Sequence, residues 1–264
     1  MIGEELDFGE IVEKNKQPEY PVRALLVVPH KRGKLVVARD AFGSNSYLKN
    51  VQAMGQFYSY PNSWERISFE PLTTDESISV AVYEFPNRAK LNVFNPSWLQ
   101  AGYVLRTADG VWANPLDFQG KPIQNESILK GSLEDCKRIE VKDGKHIYIG
   151  NNGFGFAEYG TFDLGIQSGD DFANGGLARI LENTSDSTAK NLRVIADKSN
   201  YKLGVNVFGF DSVKEPIVRV VSLYSGRDVD GGRLVVDGSY WYVSSDGGYA
   251  LGGLVSGEAS EAKK

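Results

Sequence analysis

Apolar and polar positions follow one another in short runs along most of this chain, and Gly, Asn, Asp and Pro interrupt them at close intervals. Runs of this kind, rich in β-branched and aromatic residues, predict strands. They fall at VRALLVV (22–28), KLVVAR (34–39), RISFEPL (66–72), SISVAVYEF (77–85), KLNVF (90–94) and GYVLRT (102–107). VWANPL (111–116), KRIEV (137–141), HIYIG (146–150) and GTFDLGI (160–166) continue the series. The last third holds LARILEN (177–183), NLRVIAD (191–197), LGVNVFGF (203–210), IVRVVSLY (217–224), RLVVD (233–237) and YWYVS (240–244). Within SISVAVYEF, Ile78, Val80 and Val82 alternate with Ser77, Ser79, Ala81 and Tyr83, the period of a half-buried strand.

Turn chemistry supports the pattern. Asp109-Gly110, Asp143-Gly144 and Asp237-Gly238 each stand between apolar runs, and Asp-Gly suits the positive φ of a tight hairpin turn. Helical cues are few. ESILKGSLEDCKRI (126–139) predicts a short helix with Ser132 as its N-cap, and YLKNVQAMGQFY (47–58) a second. The expected class is all-β, or mainly β. Residues 166–176, IQSGDDFANGG, are polar and Gly-rich and mark the expected boundary. The reading divides the chain into an arm (1–20), a larger irregular β domain (21–165), a compact antiparallel β-sandwich (166–255) and a tail (256–264).

Composition narrows the functional classes. With 29 Lys and Arg against 34 Asp and Glu, the net charge of −5 gives no general affinity for nucleic acid. A local cationic stripe at His30, Lys31, Arg32 and Lys34 remains open. The single cysteine, Cys136, permits neither an internal disulfide nor a thiolate zinc cluster, and the two histidines, His30 and His146, have no companions at ligand spacing. No metal, cofactor or membrane partner is expected. The opening MIGEELDFGEIVEKNK lacks the basic and apolar regions of a secretory leader, and no run approaches the roughly 18 apolar residues that a membrane helix needs.

One stretch invites a cofactor. In KHIYIGNNGFGFAEYG (145–160), an apolar run ends in glycines, as a strand does before a phosphate-cradling loop. Gly153-Phe154-Gly155 begins a Gly-x-Gly-x-x-Gly pattern, but its third glycine position is Glu158, whose carboxylate repels pyrophosphate. The residues beyond resume β character, so the stretch reads as a β connection. The chain has no Walker loop and no Gly-x-Ser-x-Gly elbow, and the calcium-like Asp228-Val229-Asp230-Gly231 ends at Ser239 where a bidentate glutamate is required. No catalytic residues are assigned.

Aromatic clusters remain. QFYSYPNSW (56–64) carries Tyr58, Tyr60 and Trp64, and SYWYVS (239–244) carries Trp241 between two tyrosines. Such residues fill cores, anchor protein interfaces or stack on sugars. In the arm, Leu6, Phe8 and Ile11 stand among acids and lysines, too few to fold alone. The candidate interface residues are therefore Leu6, Phe8, Ile11, Tyr58, Tyr60, Trp64 and Trp241.

FANGGLARILENTSDSTAKNLRVIADKSNYKLGV (172–205) resembles β-sandwich, immunoglobulin-like modules of tailed-bacteriophage virion proteins. In these a strand ends in an Asn/Thr/Ser turn and an Ala-x-Asn-Leu-x-Val-like strand follows, here Ala189 to Val194. The resemblance implies a non-enzymatic structural subunit of a phage particle (tail, baseplate, neck or capsid accessory), with copies of itself and other virion proteins as partners. The rival expectation is a carbohydrate-binding or glycan-degrading β protein with a host glycan as partner.

Overall fold

The computed structural model describes residues 21–59, 66–87, 99–117, 119–197, 204–225, 233–241 and 247–254. Strand exceeds helix, 41% against 24%, so the chain is mainly β. It begins with β1 (Leu25–His30), β2 (Gly33–Ala38), β3 (Phe42–Asn45), α1 (Tyr47–Met54), β4 (Phe69–Pro71) and α2 (Thr74–Asn87). The middle comprises β5 (Leu99–Arg106), β6 (Gly110–Ala113), α3 (Glu126–Gly131), β7 (Lys137–Lys142), β8 (Lys145–Ile149), β9 (Gly155–Glu158) and β10 (Gly165–Gln167). Three short helices follow: α4 (Gly169–Asn174), α5 (Gly176–Leu181) and α6 (Lys190–Ala196). The remaining strands are β11 (Val205–Phe208), β12 (Ile217–Ser225), β13 (Leu234–Tyr240), β14 (Gly248–Ala250) and β15 (Gly252–Leu254).

Two sheets result. A four-stranded sheet has the order β1-β2-β15-β4, and the main path of an eleven-stranded sheet runs β10-β11-β13-β12-β5-β6-β9-β8-β7. All eight residues of β5 are buried, as expected of a central strand covered on both faces. One core joins Val104, Val207 and Val236 of the sheet to Ile78 and Ala81 of α2, Ile180 of α5 and Leu192 and Ile195 of α6. Another joins Tyr103, Leu105, Trp112 and Phe156 to Tyr47 and Met54 of α1 and Leu129 of α3. The Trp112 and Phe156 ring centroids are 4.2 Å apart, and Tyr47 meets Tyr103 edge-on at 4.9 Å. Each large side chain so buried contributes about 1.5–3 kcal/mol.

Several expectations need correction. Residues 77–85 are helical, not extended. Glu76 Oε2 accepts from the Thr73 backbone N–H at 2.9 Å, a capping-box contact across Thr73-Thr74-Asp75-Glu76 that starts α2. Thr74, Ser77, Ile78 and Ala81 are buried, a helical spacing that the apparent alternation concealed. LARIL of LARILEN falls in α5, whose six residues, Arg179 included, are all buried, and an element buried on every side carries no periodicity to read. NLRVIAD forms α6. The segment that resembles phage modules is therefore helix, loop, helix here, in place of strand, turn, strand.

Ser132 is not an N-cap: it ends α3 and is the first residue of a 3-10 turn over Ser132–Asp135, whose N-cap is Gly131. The N-cap of α3 is Asn125, its side chain accepting from Ser127 N at 3.0 Å. Asp237-Gly238 lies inside β13 and makes no turn. By contrast, Asp143 and Gly144 both adopt positive φ between β7 and β8, as a tight hairpin requires. The predicted boundary at 166–176 is occupied by β10, α4 and the start of α5. Strands from both sides of it share one sheet, with β12 antiparallel to β5 along Ile217↔Arg106 to Leu223↔Leu99, and β11 parallel to β13. KLNVF (90–94), the arm and the tail lie outside the described residues.

Candidate functional site

The densest polar constellation forms where the tip of the β1–β2 hairpin meets the start of α2. Asp75 is the second residue of that helix, and its side chain is 1% exposed. His30 Nε2 stands 3.2 Å from Asp75 Oδ2, Lys31 Nζ 3.2 Å and an Arg32 terminal nitrogen 3.5 Å. The Thr73 hydroxyl donates to Asp75 Oδ1 at 2.7 Å. Arg32 also pairs with Glu76 Oε1 at 2.8 Å. Lys31 reaches the other way, donating to the carbonyls of Glu182 and Asn183 at the C-terminal end of α5, where a cation complements the helix dipole. Of the stripe considered from sequence, His30 is buried, and the part-exposed Lys31 and Arg32 join it in pairing with acids of α2.

The hydrogen-bond pattern assigns the tautomer of His30. Its Nδ1 accepts from the Arg32 backbone N–H at 3.3 Å, so the proton sits on Nε2 and is donated to Asp75. Burial lowers the imidazole pKa more than the Asp75 charge raises it, which keeps the ring neutral. Both nitrogens are therefore engaged within the fold, and neither is free to take a proton from a substrate. As chemistry, the cluster is a lock between hairpin, helix and loop.

The glycine-rich stretch belongs to the same lock. Asn114 adopts φ 46° at the end of β6. It accepts from the Thr74 backbone N–H at 3.2 Å and donates to the Gly153 carbonyl at 2.9 Å. Asn152 accepts from Arg32 at 3.2 Å, and Asn183 donates to the carbonyls of Gly150 and Phe154. The loop after β8 packs on a carboxylate of the chain itself. Glu158, at the failed third glycine position, accepts from the His146 backbone N–H at 3.0 Å.

Surface chemistry lies at the two ends of the large sheet. β7, at one end, exposes Lys137, Arg138, Glu140 and Lys142, charges that discourage pairing with another strand. β10, at the other end, has no outer partner among the described residues. Ile166 there is 64% exposed and pairs with Asn206, and Phe208 follows two positions on, so Ile166 and Phe208 share a face. Leu164, just before the strand, is also exposed. Val205 and Val207 alternate with them into the core.

The residues nominated from sequence scatter. Tyr58 is a core residue: its ring meets Phe42 edge-on at 5.9 Å, and its hydroxyl donates to the Ala53 carbonyl at 2.6 Å. Trp241 is 55% exposed, with the Arg219 guanidinium 3.7 Å over its ring. Leu6, Phe8, Ile11, Tyr60 and Trp64 lie outside the described residues. Asp75, Asn114 and Ile166 were not nominated. The Thr73-x-x-Glu76 spacing was the one local signal that pointed to the Asp75 helix end.

Comparison with protein-family models, with curated proteins and with solved structures finds no match to this chain.

Proposed function

We propose that this chain is a non-enzymatic assembly subunit that works by protein–protein contact, with a tailed-phage particle as its setting. The contrast between the two ends of the large sheet carries the reading. One end is guarded by four charged side chains, while the other presents Leu164, Ile166 and Phe208 beside a strand edge that has no outer partner among the described residues. Strand addition at such an edge supplies backbone hydrogen bonds, and the apolar side chains supply burial. The phage setting rests on the sequence likeness over 172–205 alone and not on the conformation of that segment, which is mainly helical. The conformation of His30, with both ring nitrogens engaged internally, favours a structural over a catalytic reading of the Asp75 cluster.

Light scattering on the purified chain, with Ile166→Lys and Phe208→Ser as variants, tests the proposal. Self-association of the parent chain, abolished in both variants at unchanged Tm, is the expected result. A parent chain that stays monomeric at high concentration, or variants that assemble like the parent, would overturn the β10 edge as the contact surface.

A further inference from the structure

A second constellation lies where β5 ends and β12 begins. Val104 pairs with Arg219 across the two strands, and Arg106 stands two residues beyond Val104, so both arginines project from one face of the sheet. Trp241 follows the Tyr240↔Val220 pair and stands across from Arg219. Arg106 is 9% exposed and Arg219 7%. Arg106 donates twice to the Asp211 carbonyl, at 3.0 and 2.7 Å. Arg219 donates to the Val218 carbonyl at 2.8 Å and stacks on Trp241.

A buried cation normally faces a carboxylate, because an unpaired one is costly. Among the described residues neither guanidinium has an ion-pair partner. Asp237 is close enough to feel Arg106, but its Oδ1 is taken by the backbone N–H and hydroxyl of Ser239, each at 2.7 Å. Burial holds the Asp237 carboxyl above the ordinary range, which weakens it further as a counter-charge. The charge of Arg106 also helps to depress the Arg219 pKa, so each cation is a neighbour that the other must tolerate. The Tyr159 hydroxyl is buried beside Arg106, from which its oxygen can accept a hydrogen bond, and its own proton has no acceptor among the described residues. Three donors thus remain incompletely used in one place.

We propose that Arg106, Arg219 and Tyr159 form an oxyanion site, next to exposed Trp241, that takes a phosphate group. Two guanidinium charges match a dianion, and their planar donor forks suit phosphate oxygens. Burial pushes the phenol up to about 12, so at neutral pH it remains an O–H donor to the same ligand.

Inorganic phosphate, titrated at constant ionic strength against sodium chloride, is the probe, and Tm is the readout. A saturable rise is expected in the parent chain, since a ligand held only by the native state raises stability by mass action. Arg219→Met and Arg106→Met should lose the rise. Tyr159→Phe, which keeps the ring and its packing, should weaken phosphate binding several-fold by calorimetry while leaving the phosphate-free Tm close to that of the parent. That variant keeps the test decisive if the arginine variants fail to fold. The absence of a saturable shift in the parent would show that the guanidiniums are satisfied within the chain and overturn the proposal. A shift that persists in Arg219→Met, unweakened binding in Tyr159→Phe, or a larger effect of acetate than of phosphate would overturn it equally.

Discussion

Gly153 and Asp75 are pressed together: a Cβ on Gly153 would stand 2.7 Å from Asp75 Oδ1 and 2.8 Å from the Asn114 amide nitrogen. The glycine at the head of the cofactor-like stretch therefore accommodates an internal carboxylate. Its φ of +79° adds a second requirement for glycine. Gly153→Ala is expected to destabilise the fold by about 1–3 kcal/mol, combining left-handed strain with a displaced Asp75. Urea unfolding measures this, and a change of a few tenths would show that the loop yields freely.

Asp75 organises more of its surroundings than any other residue in the lock. Asp75→Ala would leave His30, Lys31 and Arg32 converging on a site without its carboxylate, and a loss of about 3 kcal/mol is expected. Lys31→Met should cost under about 1 kcal/mol, because that ammonium is part-exposed and screened. Equal losses in the two variants would contradict the central place of Asp75.

His30 should make stability depend on pH. Its pKa is lowered in the folded chain below the ordinary 6.5. As pH falls through that value, the unfolded chain binds the proton first, so the contribution present above about pH 6.5 is lost progressively on acidification. His30→Gln, neutral throughout, should show a shallower fall in urea-midpoint stability between about pH 7 and 5.5. Parallel pH profiles for the two proteins would refute the assignment.

Glu182 supplies the start of α6 from outside that helix. Its carboxylate accepts from Asn191 N at 3.1 Å and Leu192 N at 3.0 Å, the free donors of the first turn. Glu182→Ala is expected to cost about 0.5–2 kcal/mol, the range of a lost N-cap. Faster amide exchange at Asn191 and Leu192 would localise the effect, and unchanged exchange there would exclude capping as its cause.

The mainly β class, the hairpin at Asp143-Gly144, the helix near 47–58 and a helix within 126–139 were legible in the sequence, because their cues lie between close neighbours, although the second helix starts at Glu126 and not after Ser132. Thr73-x-x-Glu76 is a capping-box spacing that a reading of SISVAVYEF by its alternation passes over. Long-range packing set the rest. A six-residue element buried on all sides, such as Gly176–Leu181, has no polar face to reveal its period. Lys190–Ala196 became a helix with a cap from Glu182, beyond its own N-cap position. The Asp75 lock joins the β1–β2 turn, a helix end and the loop at 150–154, and no spacing rule relates them. Charges separated this widely along the chain find each other only after the sheet has brought their elements together, since their attraction is screened over the distances of an unfolded chain and strengthened by burial.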